Sequence, residues 1–430
     1  MSNIFISTTN CGKAHEADIF SVAVCVPYTI TGSGDGSIKL WKNKLLDNEV
    51  PRDYHISKFV HKTGIHHVDV FHSVEKGGHE ICIISCVAFS GDIFFYEVDV
   101  KNGTLSSIDL LTAKEKKKSY WAVKWFKSDD QIVCHRFAAT DVKGNTYVWR
   151  FHPFTKELDE EEAQKEKLKR EARLKRNRFQ SLDEKIAEET SEERESQEDL
   201  ILEPHLALQG EIAATEPVFA TCLDISPNGL IATGFANGTI VVSQVSTLRP
   251  IHSFEGFGIQ GIEQNSNTVR DVKFSPMGTL LAVANDSGSY GCVTLYETEF
   301  GERVGSFSVP THSTQSSIGT FAHNGWVFGL SFNSTGEFLA TCGYDSKVRV
   351  WDVKSRERVS TINISANDVE NEQEIMLEDE SGDSLKYPPV FGVKFIAKGI
   401  RGGMGSDSNE GLCCVCMDRS VRWFREAGGS

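Results

Sequence analysis

The chain has no long apolar run: nothing in its 430 residues approaches the ~18 consecutive apolar positions that a membrane-crossing helix needs. Its first residues, Met1-Ser2-Asn3-Ile4-Phe5-Ile6-Ser7, lack the basic stretch and long hydrophobic segment of a secretion signal. A disulfide framework is missing too. Eleven cysteines are scattered without regular spacing, so reduced, buried thiols are expected, in a cytoplasmic or nuclear protein that is not secreted. Positive charge is scarce, with 45 Lys and Arg against 60 Asp and Glu and a net charge of −15. Bulk electrostatic binding to nucleic acid or an anionic membrane needs clustered basic residues, and this balance argues against it. No P-loop, hydrolase elbow or kinase motif is present, so neither an enzyme nor a cofactor is expected.

What the chain does have is apolar residues, 40% of the total, enough for a large core. Length alone suggests two or three domains at ~150 residues each. An internal repeat overrides that estimate. One copy runs from His15 through Phe20-Ser21-Val22 to Gly34-Asp35-Gly36-Ser37-Ile38-Lys39-Leu40-Trp41. Another runs from His323 through Val327-Phe328-Gly329-Leu330 to Tyr344-Asp345-Ser346-Lys347-Val348-Arg349-Val350-Trp351. In both, Asp precedes Trp by six residues, across a tight turn and an alternating strand. This resembles the WD40 repeat, in which each unit forms one four-stranded blade of a β-propeller.

Weaker copies end in Phe94-Phe95-Tyr96, Tyr147-Val148-Trp149 and Thr294-Leu295-Tyr296, and a further one spans 219–245, with Asn237 for the turn Asp and Ser243 for the Trp. The last reads Asp418-Arg419-Ser420-Val421-Arg422-Trp423-Phe424, making seven. The expected fold is therefore all-β: a seven-bladed WD40 propeller over residues 1–430 as a single domain. Only six residues follow Phe424, so the last blade needs an outer strand from elsewhere. The alternating Asn3-Ile4-Phe5-Ile6-Ser7-Thr8 suits it and would close the ring, removing both open edges. Two repeats hold a complete polar set: His15, Thr31, Asp35 and Trp41, and His323, Thr341, Asp345 and Trp351. The WD40 resemblance implies that each set is a hydrogen-bonded strut inside its blade, not a catalytic triad.

Some segments break the repeat. Residues 156–203 are more than half charged and almost free of aromatics, which reads as a solvated, partly helical or disordered insertion in blade 3. It precedes an expected outer strand at His205-Leu206-Ala207-Leu208-Gln209. Residues 366–386 form an acidic loop between blades 6 and 7, and Arg401-Gly402-Gly403 opens a glycine-rich connection. Gly256-Phe257-Gly258-Ile259-Gln260-Gly261 matches the dinucleotide fingerprint by letter but lacks the helix that would hold a pyrophosphate. Cys413, Cys414 and Cys416 lie in an apolar strand, and His61, His66 and His67 have no partner ligands at zinc spacing. No metal site is expected.

One position recurs on the rim of each blade: Phe20, His66, Trp121, Thr221, Arg270, Phe328 and Phe391. Two residues earlier stand Asp18, Ser119, Phe219, Thr268 and Trp326, with Tyr344 in a neighbouring turn. Aromatics and arginine on one face mark a protein interface. The candidate partner-binding residues are Asp18, Phe20, Trp121, Arg270, Trp326, Phe328, Tyr344 and Phe391, with Asp18 suited to a basic side chain.

Further stretches are more specific. Gly12-Lys13-Ala14-His15-Glu16-Ala17-Asp18, Leu295-Tyr296-Glu297-Thr298-Glu299-Phe300-Gly301-Glu302-Arg303 and the terminal Asp418-Arg419-Ser420-Val421-Arg422-Trp423-Phe424-Arg425-Glu426-Ala427 resemble the WD-repeat subunit of the fungal superkiller complex. The likeness covers the chain except 156–203. It implies a non-catalytic scaffold that binds a tetratricopeptide-repeat subunit, which also carries a DExH-box RNA helicase. The assembly feeds mRNA to the cytoplasmic exosome for 3′-to-5′ decay and serves antiviral defence. It further implies a nuclear role in meiotic recombination, through the transesterase that makes double-strand breaks. Partner segments with an Arg and a hydrophobic residue would then meet Asp18 and the Trp121, Trp326 and Phe328 anchors. A rival reading is a WD40 substrate receptor of a ubiquitin ligase.

Overall fold

The computed structural model describes residues 4–44, 53–74, 80–128, 134–153, 204–255, 267–309, 321–400 and 409–427. Among them are 28 strands and three short 3-10 turns. The strands form seven antiparallel sheets of four. Blade 1 runs outward through Ile19–Val24, Tyr28–Ser33, Ser37–Lys42 and Ile56–Phe59. The innermost strands of blades 2 to 7 are Ile65–Val74, Tyr120–Phe126, Ala220–Ile225, Val269–Phe274, Val327–Phe332 and Val390–Ile396. Each packs on the next, and blade 7 packs on blade 1, so the seven surround an axial channel. The 156–203 insertion, the 256–261 glycine motif and the 401–403 glycines lie outside the described residues.

Burial follows position in the blade. Tyr28–Ser33 is buried at all six residues because neighbouring blades cover both its faces. The outer strand Arg249–Glu255 is exposed or half-buried along its whole length. The turn residue after Asp35 and after Asn237 needs a positive φ, which Gly36 supplies at 84° and Gly238 at 90°. Ser346 and Arg419 hold the equivalent place at 59°, at the cost of a strained backbone. A Cβ on Gly36 would collide with the His61 carbonyl.

The ring closes as a joint product of both ends of the chain. Ile4–Cys11 is the outer strand of blade 7 and pairs with Val421–Ala427, from Ile4 opposite Ala427 to Cys11 opposite Val421. The outer strand of blade 3 is His205–Ile212, which pairs with Thr146–His152.

The two complete polar sets have one geometry. Trp41 Nε1 donates to Thr31 Oγ1 (3.2 Å), Thr31 donates to His15 Nε2 (2.8 Å), and His15 Nδ1 donates to Asp35 (2.9 Å). In blade 6 the same chain of bonds measures 2.9, 2.7 and 2.7 Å through Trp351, Thr341, His323 and Asp345. Both histidines are buried, which pushes their pKa values down and keeps them neutral donor-acceptors. Burial would raise Asp35, but hydrogen bonds from His15, Glu16 and Ser37 outweigh it and hold the carboxyl at about 2. These sets tie the strand-to-strand turn of a blade to the chain entering it. Blade 7 has no histidine there. Arg422, fully buried, takes over by pairing with Asp418 (2.6 Å) and donating to the Ser365 carbonyl (3.0 Å).

Candidate partner-binding face

The rim position opens each innermost strand, at the mouth of the channel, where the side chains of adjacent blades converge. Phe20 and Phe391 meet at a tilt across the seam between blades 1 and 7 with centroids 5.3 Å apart, and Phe391 meets Phe328 at 5.2 Å. Phe328 adjoins Trp326, which lies 6.0 Å from Tyr344. In the other direction, Phe20 meets Phe89 edge-on at 5.2 Å. Phe89 leads to His66, which is stacked on Trp121 at 4.0 Å, and Trp121 meets Phe219 at 4.9 Å. The result is one aromatic arc over blades 4, 3, 2, 1, 7 and 6. It is interrupted between blades 4 and 5, where the Thr221 and Thr268 hydroxyls bond to backbone carbonyls.

The candidate residues differ in what they offer to solvent. Trp326 is 37% and Tyr344 55% exposed, whereas Phe20, Trp121, Phe328 and Phe391 are half-buried against one another. Arg270 is held by Asp286 through three contacts of 2.7 to 3.1 Å, and its guanidinium lies 4.8 Å over the Trp326 ring. Its charge is therefore already paired, and it positions Trp326 instead of reaching outward. Trp326 is pinned further by its Nε1 bond to the Gly288 carbonyl. Sequence reasoning missed Phe89, which is 44% exposed and joins the two halves of the arc. The signal was its place in the turn of blade 2, equivalent to that of Tyr344 in blade 6.

Asp18 stands beside this arc. Its carboxylate makes no hydrogen bond or ion pair among the described residues. Burial raises its pKa, opposed by Arg419 and reinforced by Glu380 and Asp379. Arg419 is itself engaged by Glu380 at 2.7 Å. The 366–386 connection brings these acids close: Ser365 caps a 3-10 turn at Ala366–Asp368, Asn371 caps another at Glu372–Glu374, and Val369 and Leu385 anchor the loop in the core. A partly desolvated, unpaired carboxylate beside a rigid aromatic surface suits an arginine followed by an apolar side chain.

The three histidines weighed as ligands go separate ways. His61 bonds Thr63, His67 Nδ1 accepts the Val123 N–H, and His66 stacks in the arc. Cys414 and Cys416 share one buried face, with sulfurs 4.0 Å apart, and Cys413 faces the other way in the same strand. A cleft of about 470 Å³ lined by Lys39, Trp41, Tyr54 and Glu374 lies away from the arc, at the outer junction of blades 1 and 7.

Burial pushes His66 down to about 4, so unfolding exposes a group that takes up a proton more readily than the folded chain does. Stability should be intact above pH 6.5 and fall as pH drops from there toward 4. The His66 share is about 2 kcal/mol at pH 5. In urea melts at pH 7.5 and 5, His66→Phe should lose less stability on acidification than wild type by that amount. Equal losses would refute the assignment.

The repeat, the struts and the closed ring define the class: a WD-repeat β-propeller with an exposed aromatic face. The family model described as WD domain, G-beta repeat, matches residues 7–42 and 315–352, the regions of the two complete struts. The chain is 51% identical over 435 residues to Antiviral protein SKI8 of Saccharomyces cerevisiae, spanning 100% of both proteins. Meiotic recombination protein rec14 of Schizosaccharomyces pombe is 24% identical over 293 residues, covering 68% of this chain and 70% of that one. Actin-interacting protein 1 of Drosophila melanogaster is 32% identical over 166 residues, 38% of this chain and 23% of its own. The chain belongs to the family of the WD-repeat subunit of the fungal superkiller complex.

Proposed function

We propose that this chain is a non-catalytic scaffold of the superkiller complex, supporting exosome-mediated 3′-to-5′ decay of cytoplasmic mRNA and antiviral defence. Its partners in this reading are the tetratricopeptide-repeat subunit and, through that subunit, the DExH-box RNA helicase. A second, nuclear role in meiotic recombination, through the double-strand-break transesterase, is supported by the likeness to a meiotic recombination protein. The observation that carries the binding reading is the unpaired Asp18 carboxylate beside the arc from Phe20 to Trp326. One surface of this kind serves both partners if each offers a short segment with an arginine and an apolar residue.

The test is co-elution of the full chain with its organism's tetratricopeptide-repeat subunit, for wild type and Trp326→Glu. Loss of a central aromatic anchor removes ~2–4 kcal/mol of binding, so the folded variant should elute alone. Retention by the variant would remove Trp326 from the interface. Failure of the wild type to co-elute would overturn the scaffold reading itself.

A further inference from the structure

The axial channel below the aromatic arc is built by a repeated device that lapses at two of the seven seams. Around the ring, side chains of one blade accept amide hydrogens from the innermost strand of the next. Ser21 accepts from Val68 (3.1 Å), His67 from Val123 (3.1 Å) and Asp69 from Trp125 (2.7 Å). Asp224 accepts from Phe274 (2.8 Å), Asp271 from Leu330 (2.9 Å) and Ser331 from Phe395 (3.0 Å). Two seams lack such acceptors: between blades 3 and 4 the positions are Ala122 and Lys124, and between blades 7 and 1 they are Gly392 and Lys394. The amides that Gly392 and Lys394 face belong to Val22 and Val24, the equivalents of Val123 and Trp125 in blade 3. A Cβ on Gly392 would lie 3.8 Å from the Val22 nitrogen, so glycine leaves that amide open to the channel.

The charges are also uneven. Lys124 sits between Asp69 (3.6 Å) and Asp224 (3.8 Å), and Lys273 lies on Asp271 (3.0 Å). Each of those carboxylates is further committed to a backbone amide. Lys394 has no hydrogen bond or ion pair among the described residues. Donors without acceptors, an ammonium and amides on one wall, are what an oxyanion requires.

We propose that the seam between blades 7 and 1, beneath the Phe20–Phe391 pair, is a binding site for a single oxyanion, a phosphate or a carboxylate, held by Lys394 and the amide edge of Val22 and Val24. Burial, with the neighbouring Lys273 and Lys124, pushes Lys394 down to about 8, against Asp271 and Asp69, and an anion bound beside it would stabilise its charged form. His67, pushed well below its ordinary value by burial, is neutral there. Binding needs the charged ammonium and therefore weakens as pH rises through about 8.

Inorganic phosphate is the probe, added to the purified full chain against sodium chloride of matched ionic strength. At tenfold excess over its Kd, phosphate should raise the melting temperature of wild type by about 1–2 °C at pH 7, and by less at pH 9. The rise should vanish in Lys394→Met, shrink in Gly392→Ser, and persist in Trp326→Glu, which separates this site from the partner-binding face. Equal rises in wild type and Lys394→Met, or none beyond chloride, would overturn the proposal. Should Lys394→Met fail to fold, anomalous scattering from selenate soaked into wild-type crystals decides, and selenate anywhere but this seam refutes the site. Added phosphate that loosens the partner complex would assign the site to a partner carboxylate; an unaffected complex would assign it to free phosphate.

Discussion

Asp18→Lys should abolish capture of a partner segment while leaving the propeller folded. The carboxylate takes part in no hydrogen bond or ion pair among the described residues, so the fold loses little when it goes. An arginine arriving from a partner would meet it half-buried, next to Phe20, where a charge-assisted pair is stronger than at an open surface. Removing one member of such a pair costs ~2–5 kcal/mol, and reversing its sign adds repulsion, so affinity should fall by ~100-fold or more. Glu16 provides the contrast. It is exposed two residues away, and Glu16→Lys should change the salt dependence of association and little else. Calorimetric titration of wild type and both variants with the partner subunit, beside thermal melts, separates these effects. Binding of Asp18→Lys at wild-type affinity would mean that the arginine-acceptor role lies elsewhere, with the nearby Glu380 and Asp379 the next to test.

The propeller was legible because its constraints are local and repeated. Six residues from Asp to Trp, a turn with positive φ and an alternating strand recur without reference to distant parts of the chain. Closure was legible for a different reason: Phe424 left too few residues for a fourth strand, and Phe5 and Ile6 began an alternating run far upstream. Register across seven copies also placed Phe20, Trp121, Phe328 and Phe391 on one rim. What register cannot show is which side chains pair across it. Arg270 and Asp286 are sixteen residues apart on neighbouring strands, and nothing in either local pattern announces their contact. Phe89 escaped because its turn carries no Trp six residues later and so looked unlike the complete repeats. The seventh blade is the clearest case. Its Asp418 fits the repeat, but the histidine is missing, and only the fold reveals that Arg422 takes its place by reaching Ser365, fifty-seven residues back along the chain.

That substitution makes blade 7 the place where a single change should do most damage to stability. Arg422 is fully buried and Asp418 nearly so, and both Arg422 Nη2 and Nη1 point at the carboxylate. Burial alone would lower the Arg422 pKa, yet Cys416 and Asp418 more than reverse that and hold the guanidinium firmly charged. Asp418→Ala strands this charge without a counterion, in a blade that cannot deprotonate it. The expected loss is ~3–5 kcal/mol, against ~1 kcal/mol for an average substitution. The damage spreads because blade 7 is where the ends of the chain meet. Asp418 and Arg422 flank the turn that begins Val421–Ala427, the strand on which Ile4–Cys11 closes the ring. A second variant distinguishes a stranded charge from a mere loss of packing. Asp418→Leu combined with Arg422→Met removes both charges, and replacing a buried pair by apolar groups is often close to neutral. The double variant should recover about half of the stability that Asp418→Ala loses. It should not recover all, because the Ser365 carbonyl loses its Arg422 donor, a hydrogen bond to a charged group worth ~1.5–3 kcal/mol. Urea melts of the three chains measure this directly. If Asp418→Ala is as stable as wild type, Arg422 is not the strut of blade 7, and the closing blade is held by the strand pairing of Ile4–Cys11 alone.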